Sequence, residues 1–127
     1  MAAGVAHLAS QPGAPAVVFV YVEEAHAEDE WPIATPAQFS VATQHTVLAD
    51  RLRAIERMRT ALPPLAHFPI YADGLGPDRF SRVYGTWPTR LYLFIDCVLH
   101  IKAEPVNAAF DLFEFWEAAR ALIDSGE

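Results

Sequence analysis

Ala16-Val17-Val18-Phe19-Val20-Tyr21-Val22-Glu23-Glu24-Ala25-His26 runs from seven apolar residues straight into a dense polar cluster. The apolar part is rich in β-branched and aromatic residues. That composition predicts a strand covered on both faces, as in the interior of a parallel sheet. Ahead of it, Pro12-Gly13-Ala14-Pro15 can sustain neither helix nor ladder and predicts a turn, with residues 1–11 as the end of a helix. After it come Asp29 and Trp31, then a stretch to Gln44 with Pro32, Pro36 and no periodicity. This reads as a long loop of the kind that often walls a site.

Further on, Leu48, Leu52, Ile55, Met58 and Leu62 recur at helical spacing, with Arg51, Arg53, Glu56, Arg57 and Arg59 between them. The pattern predicts an amphipathic helix that lays its leucines on a sheet and its arginines in water, ended by Pro63-Pro64. Phe68 to Asp73 predicts a short strand, and Gly74, Gly76 and Pro77 turn the chain into a short piece carrying Phe80 and Tyr84. Arg90 to Ile95 and Val98 to Lys102, separated only by Asp96-Cys97, predict an antiparallel hairpin. Asp111 followed by Glu114 resembles a capping box and opens a last helix. There Phe115, Trp116, Ala119, Leu122 and Ile123 share one face, and Gly126 closes it. Strand, helix, strand, strand pair and helix make an α/β chain with a mixed sheet and flanking helices.

The chain has 127 residues, 53% of them hydrophobic, which suits one domain with its own core, residues 1–127. Sixteen acidic residues against nine Lys and Arg give a net charge of −7, and no basic cluster forms a phosphate-binding stripe, so nucleic acid is excluded as a partner. The single Cys97 permits no internal disulfide. No signal-peptide flank precedes the first residues, and the run of 16–22 is far below the roughly 20 residues of a membrane span. A cytoplasmic protein without a membrane anchor is the expectation. His26, His45 and Glu24 are also the residue types of a metal site, but no ligand spacing accompanies them and no metal is expected. Glu23, Glu24, Glu28, Asp29 and Glu30 have a plainer reading as a solvated acidic loop, as Tyr21 has as a core aromatic, Arg90 as a strand-start charge, and Phe110, Phe113, Phe115 and Trp116 as core and interface packing.

Tyr21 followed by Glu23-Glu24-Ala25-His26, the Gln44-His45 pair before the long helix, and Arg90-Leu91-Tyr92 at the start of the hairpin resemble the signature of the iodothyronine deiodinases. The resemblance runs from about Ala6 to Ile123 and implies a thioredoxin-like fold with Gly85-Thr86-Trp87-Pro88-Thr89 as its cis-proline loop, so the Trp87–Pro88 bond is expected to be cis. It implies catalytic positions at Tyr21, Glu24, His26 and His45, with Arg90 and Trp31 binding substrate. His26 would donate or relay the proton that the ring carbon gains as iodine leaves, and Arg90 would hold an anionic end of the substrate. A small aromatic or halogenated substrate and an external thiol reductant follow, with no bound cofactor. Glu30 stands where the family has glycine, and Pro88-Thr89 replaces the usual pair before the arginine, which points to a bacterial-type relative.

In that family the selenocysteine or cysteine nucleophile sits on a strand-loop-helix unit ahead of the strand at 16–22. The chain is expected to lack this unit, Cys97 at a hairpin turn being no substitute. Without that central strand the sheet has open inner edges, and a homo-oligomer is expected. A selenocysteine UGA codon read as a stop would explain the missing segment. Two other readings remain: a non-catalytic thioredoxin-like binding module, and a peroxiredoxin-like reductase.

Overall fold

The computed structural model describes residues 1–32, 43–76 and 79–126. They form two compact units, Val18–Pro88 and the pair of segments Met1–Val17 and Thr89–Glu127. Most of the expected loop after Trp31, residues 33–42, lies outside the described residues, as does Pro77.

In the Val18–Pro88 unit, strand β1 (Phe19–Tyr21) pairs in parallel with β2 (Ile70–Ala72), Phe19 opposite Ile70 and Tyr21 opposite Ala72. Parallel neighbours require a crossover. Helix α2 (Leu48–Ala61) lies in it and packs on β2. The helix stops where the sequence places its prolines, because Pro63 cannot donate to the preceding turn and opens a 3-10 turn, Pro63–Leu65. Phe19 and Phe68 meet edge to face with centroids 5.6 Å apart. Beyond β2, helix α3 (Arg79–Tyr84) leads to the Trp87–Pro88 peptide, which is cis.

Two expectations are corrected here. Strand β1 is three residues long, shorter than the expected run of 16–22; it pairs with one neighbour among the described residues, and Val18 is exposed. On α2 the buried positions are Arg51, Ala54 and Ile55, while Leu48 and Leu52 face solvent. The helix is rotated away from its leucine stripe because Arg51 has a partner beneath it, and that bond outweighs the apolar pattern.

In the second unit, β3 (Leu91–Ile95) and β4 (Val98–Ala103) form the expected hairpin. Asp96 and Cys97 both take positive φ, 48° and 65°, which is how a two-residue turn matches the twist of its strands. The register shifts between Leu93 and Phe94, leaving His100 without a cross-strand partner. Helix α4 (Leu112–Ser125) starts on Asp111, whose carboxylate accepts from the Glu114 amide at 2.9 Å, and ends on left-handed Gly126. It buries Trp116 and Ala119, and its N-terminal Leu112 meets Gly4 of helix α1 (Ala2–Ala9). Phe113 of the aromatic set is 72% exposed, not core. The expected mixed sheet is replaced by two two-stranded sheets, one parallel and one antiparallel. The chain is therefore a mixed α/β protein with small sheets and flanking helices.

Candidate functional site

All four buried polar side chains among the described residues, His45, Arg51, Asp73 and Thr86, lie in the Val18–Pro88 unit. They meet at the C-terminal ends of β1 and β2. The ladder is extended by one bond, from the Asp73 amide to the Tyr21 carbonyl at 2.9 Å. From α2, Arg51, 1% exposed, donates from Nη1 to the Asp73 carbonyl at 2.7 Å. The Asp73 carboxylate in turn accepts from the amides of Gly74, Phe80 and Ser81 at 2.9–3.1 Å, tying down the start of α3. Burial alone would raise this carboxyl, but the Ser81 and Phe80 amides, the Ser81 hydroxyl and the Gly74 amide outweigh it and hold Asp73 below the ordinary range. The Ser81 hydroxyl also accepts from Thr86 at 3.0 Å, which carries the network to the residue before Trp87.

Past Tyr21 the chain leaves the sheet and turns at Ala25–His26. Glu24 is held to Gln44 by a two-way amide bridge: the Glu24 amide donates to Gln44 Oε1 at 3.1 Å, and Gln44 Nε2 donates to the Glu24 carbonyl at 2.9 Å. This bridge brings His45 beside Tyr21, with ring centroids 5.9 Å apart. His45 is 7% exposed. Glu24 Oε1 and His45 Nδ1 are both buried without a hydrogen-bond partner. Burial raises the Glu24 carboxyl against the opposing pull of Arg51 and Arg57. Burial and the Arg51 guanidinium lower His45, Asp50 opposing. Both groups are thereby biased toward their neutral forms.

His26 belongs to a second cluster. Its Nδ1 lies 3.2 Å from the Trp31 carbonyl, and because a carbonyl only accepts, this bond assigns the ring proton to Nδ1 in the neutral imidazole. Its ring stands on the Trp31 indole at 5.1 Å and 61°. Trp31 stacks on Trp87 at 6.1 Å and 16°, and the two indoles are 57% and 45% exposed. Among the described residues no hydrogen bond joins His26 to Glu24 or Tyr21, and the group that orients this histidine is a backbone carbonyl. The structure thus brings together Tyr21, Glu24 and His45, and separately His26, Trp31 and Trp87 beside Pro88.

Arg90 lies in the other unit. Its Nε donates to Glu104 at 3.2 Å and its Nη1 to the Thr89 carbonyl at 2.7 Å. Cys97 is exposed, and no group of three or more metal-ligating side chains forms among the described residues. Sequence reasoning missed Arg51, Asp73 and Trp87. A charged residue on a helix reads as solvated, and the donors that define Asp73 come from residues later in the chain.

Residues 13–116 match the iodothyronine deiodinase family. The chain belongs to that family. It is 38% identical over 78 residues to type II iodothyronine deiodinase of Petromyzon marinus, covering 61% of this chain and 25% of that protein. To thyroxine 5-deiodinase of Gallus gallus it is 37% identical over 76 residues, covering 60% of this chain and 27% of that protein. The chain thus spans about a quarter of the length of these curated relatives. No solved structure matches it. Among the described residues of this deiodinase-family chain, no helix is long and apolar enough to cross a membrane.

Proposed function

We propose that this chain is the proton-handling and substrate-binding part of a thioredoxin-like reductive dehalogenase acting on iodinated aromatic rings. The observation that carries the reading is the buried pair of unpartnered polar atoms, Glu24 Oε1 and His45 Nδ1, beside Tyr21 in a chain of deiodinase family. Buried polar groups without partners cost about 1–3 kcal/mol each and persist where a reaction uses them.

A selenolate or thiolate attacks the ring iodine. The carbon–iodine bond breaks, a selenium–iodine or sulfur–iodine bond forms, and the ring carbon takes a proton through the histidines. Two external thiols then supply two electrons, forming their disulfide, releasing iodide and restoring the nucleophile. Glu24, raised by burial, and His45, lowered by it, would serve as donor and acceptor for that relay, with Tyr21 beside His45. His26 is fixed in one tautomer next to Trp31, where an aromatic substrate would stack.

In this reading the nucleophile lies on a strand-loop-helix unit ahead of the strand at 16–22. The protein is bacterial-type, cytoplasmic and a homo-oligomer in this reading, with exposed Phe113 and Val106 as apolar surface for self-association. Sequencing the gene upstream tests the first part: an in-frame UGA or cysteine codon in a strand-turn-helix pattern is expected, and unrelated sequence there would defeat it. The protein expressed with that segment is then assayed for thiol-dependent iodide release. Glu24→Gln and His45→Asn should each slow release by about 100-fold or more, the range of general acid–base contributions. Undiminished rates in both variants would remove these residues from the mechanism.

A further inference from the structure

Thr86 is 5% exposed, and its hydroxyl is the last link of a hydrogen-bonded chain that begins just past β2. Asp73 starts the chain with every polar group it has. Its amide donates to Tyr21, its carbonyl accepts from Arg51, and its carboxylate accepts from three amides, two of them in the first turn of α3. The carboxylate also sets the direction of the bonds beyond it. An ionised carboxylate only accepts, so the Ser81 hydroxyl donates to Asp73 and turns a lone pair toward Thr86, whose hydroxyl donates at 3.0 Å. The Gly85 amide bonds back to the Ser81 carbonyl at 2.9 Å, and Gly85 takes the left-handed conformation, φ 60°, that reverses the chain after α3. Residues 85 and 86 are both tied to Ser81, so the turn that delivers Trp87 is held from two sides.

The Trp87 indole is 45% exposed and nearly parallel to that of Trp31, itself 57% exposed. Two rings so open to water gain little from each other, and their geometry has to come from the backbone beneath them. Trp31 is anchored by its amide to the Ala27 carbonyl at 3.1 Å. At Trp87 the adjoining anchor is the Thr86 hydroxyl. We propose that Thr86 is a positioning residue for substrate recognition: through Ser81 and Asp73 its hydroxyl sets Trp87 against Trp31, and the ordered pair is the wall on which an aromatic ring stacks. The inference deepens the reading above and rests on it for the substrate. His26 does not share this dependence, because its Nδ1 bonds to the backbone carbonyl of Trp31 and not to the indole. Ring binding and proton handling are therefore separable.

Thr86→Val keeps the shape of the side chain and removes the hydroxyl; Thr86→Ser restores it. The three tryptophans give three indole N–H resonances, assigned through Trp31→Phe and Trp87→Phe. Stacked rings shift each other's signals, so Trp87→Phe should move the Trp31 resonance. Thr86→Val should move it in the same direction, and Thr86→Ser should leave it near the parent position. Trp116, buried in the other unit, should stay in place throughout and reports that the variants fold. Should Thr86→Val fail to fold, Ser81→Ala removes the same bond from a half-buried position and carries the test. Calorimetry with diiodophenol should show binding about fivefold weaker in Thr86→Val, the scale of one aromatic contact, and rescued in Thr86→Ser. In the protein carrying its nucleophile, KM should rise with that loss while kcat stays within about twofold of the parent. An unmoved Trp31 resonance in Thr86→Val, or diiodophenol binding that does not follow the resonance, would overturn the positioning role. Iodide release with the Trp31 resonance and binding both unmoved by Thr86→Val would sink this role and spare the dehalogenase reading; the full resonance and binding pattern without iodide release would do the opposite.

Discussion

The Val18–Pro88 unit and the unit made by the two chain ends solve the problem of a small core differently. The terminal unit buries Leu93, Trp116 and Ala119 and no polar side chain among the described residues, and its stability comes from apolar area and helix caps. The Val18–Pro88 unit buries Ala27, Ala54, Ile55 and Leu65 together with His45, Arg51, Asp73 and Thr86. Buried polar groups contribute little net stability even when satisfied and cost several kcal/mol when stranded. A unit built this way keeps an ordered polar cluster at some expense in stability.

The sharpest way to break the contrast is to truncate one anchor in each unit and follow pH. Trp116→Ala should cost about 3–5 kcal/mol, the range for a buried aromatic, with the same loss at pH 7 and pH 4 in urea unfolding. Asp73→Ala strands three amides and should cost about 3 kcal/mol near neutrality. Because the folded Asp73 pKa is depressed, its contribution is present above the unfolded carboxylate pKa and lost as pH falls through the folded value. The Asp73→Ala deficit should therefore shrink in acid. A deficit that persists unchanged at low pH would show that the three amide bonds do not depend on the carboxylate charge.

Arg51→Met tests the node from the other side. Losing the bond to the Asp73 carbonyl should cost about 2 kcal/mol, offset in part by the apolar stem that fills the space. Since Arg51 lowers both Glu24 and His45, its removal should raise both titrations, visible for His45 by NMR of the imidazole protons. An unmoved His45 titration would break the electrostatic link between α2 and the polar cluster.

A smaller effect is expected at His45 itself. Its folded pKa is depressed, so the neutral ring favours the folded state above pH 6.5 and that advantage is lost as pH falls through the folded value. His45→Gln should flatten the fall in stability over that window. The same slope in variant and parent would assign the acid sensitivity elsewhere. Least of all, Asp111→Ala in the terminal unit removes one helix cap and should cost about 1 kcal/mol, checked by thermal unfolding, without moving any histidine titration.

Local chemistry made much of this molecule legible. The two-residue connection at Asp96-Cys97 specifies the hairpin, Pro63 ends α2, and the Asp111 and Gly126 caps bracket α4, because each depends on residues within a few positions of one another. Tyr21, Glu24, His26 and His45 stood out as candidates because their residue types and spacing resemble a known signature. The face that α2 buries was misread. Periodicity ranks leucine above arginine for burial, and the Asp73 carbonyl, just past β2 and 22 residues away, reverses the order at Arg51. The orienting partner of His26 was not legible for a related reason, since a backbone carbonyl is present at every residue and leaves no mark in sequence.

By itself, then, the sequence determined the family, the order of helices and strands, and where most of them end, all of which follow from short-range propensity, capping and motif. Tertiary structure decided which charges are buried and how the polar residues divide into a Tyr21–Glu24–His45 cluster and a His26–Trp31–Trp87 cluster. Those outcomes depend on contacts between residues distant in the chain, where burial and hydrogen-bond satisfaction outweigh what any local pattern can express.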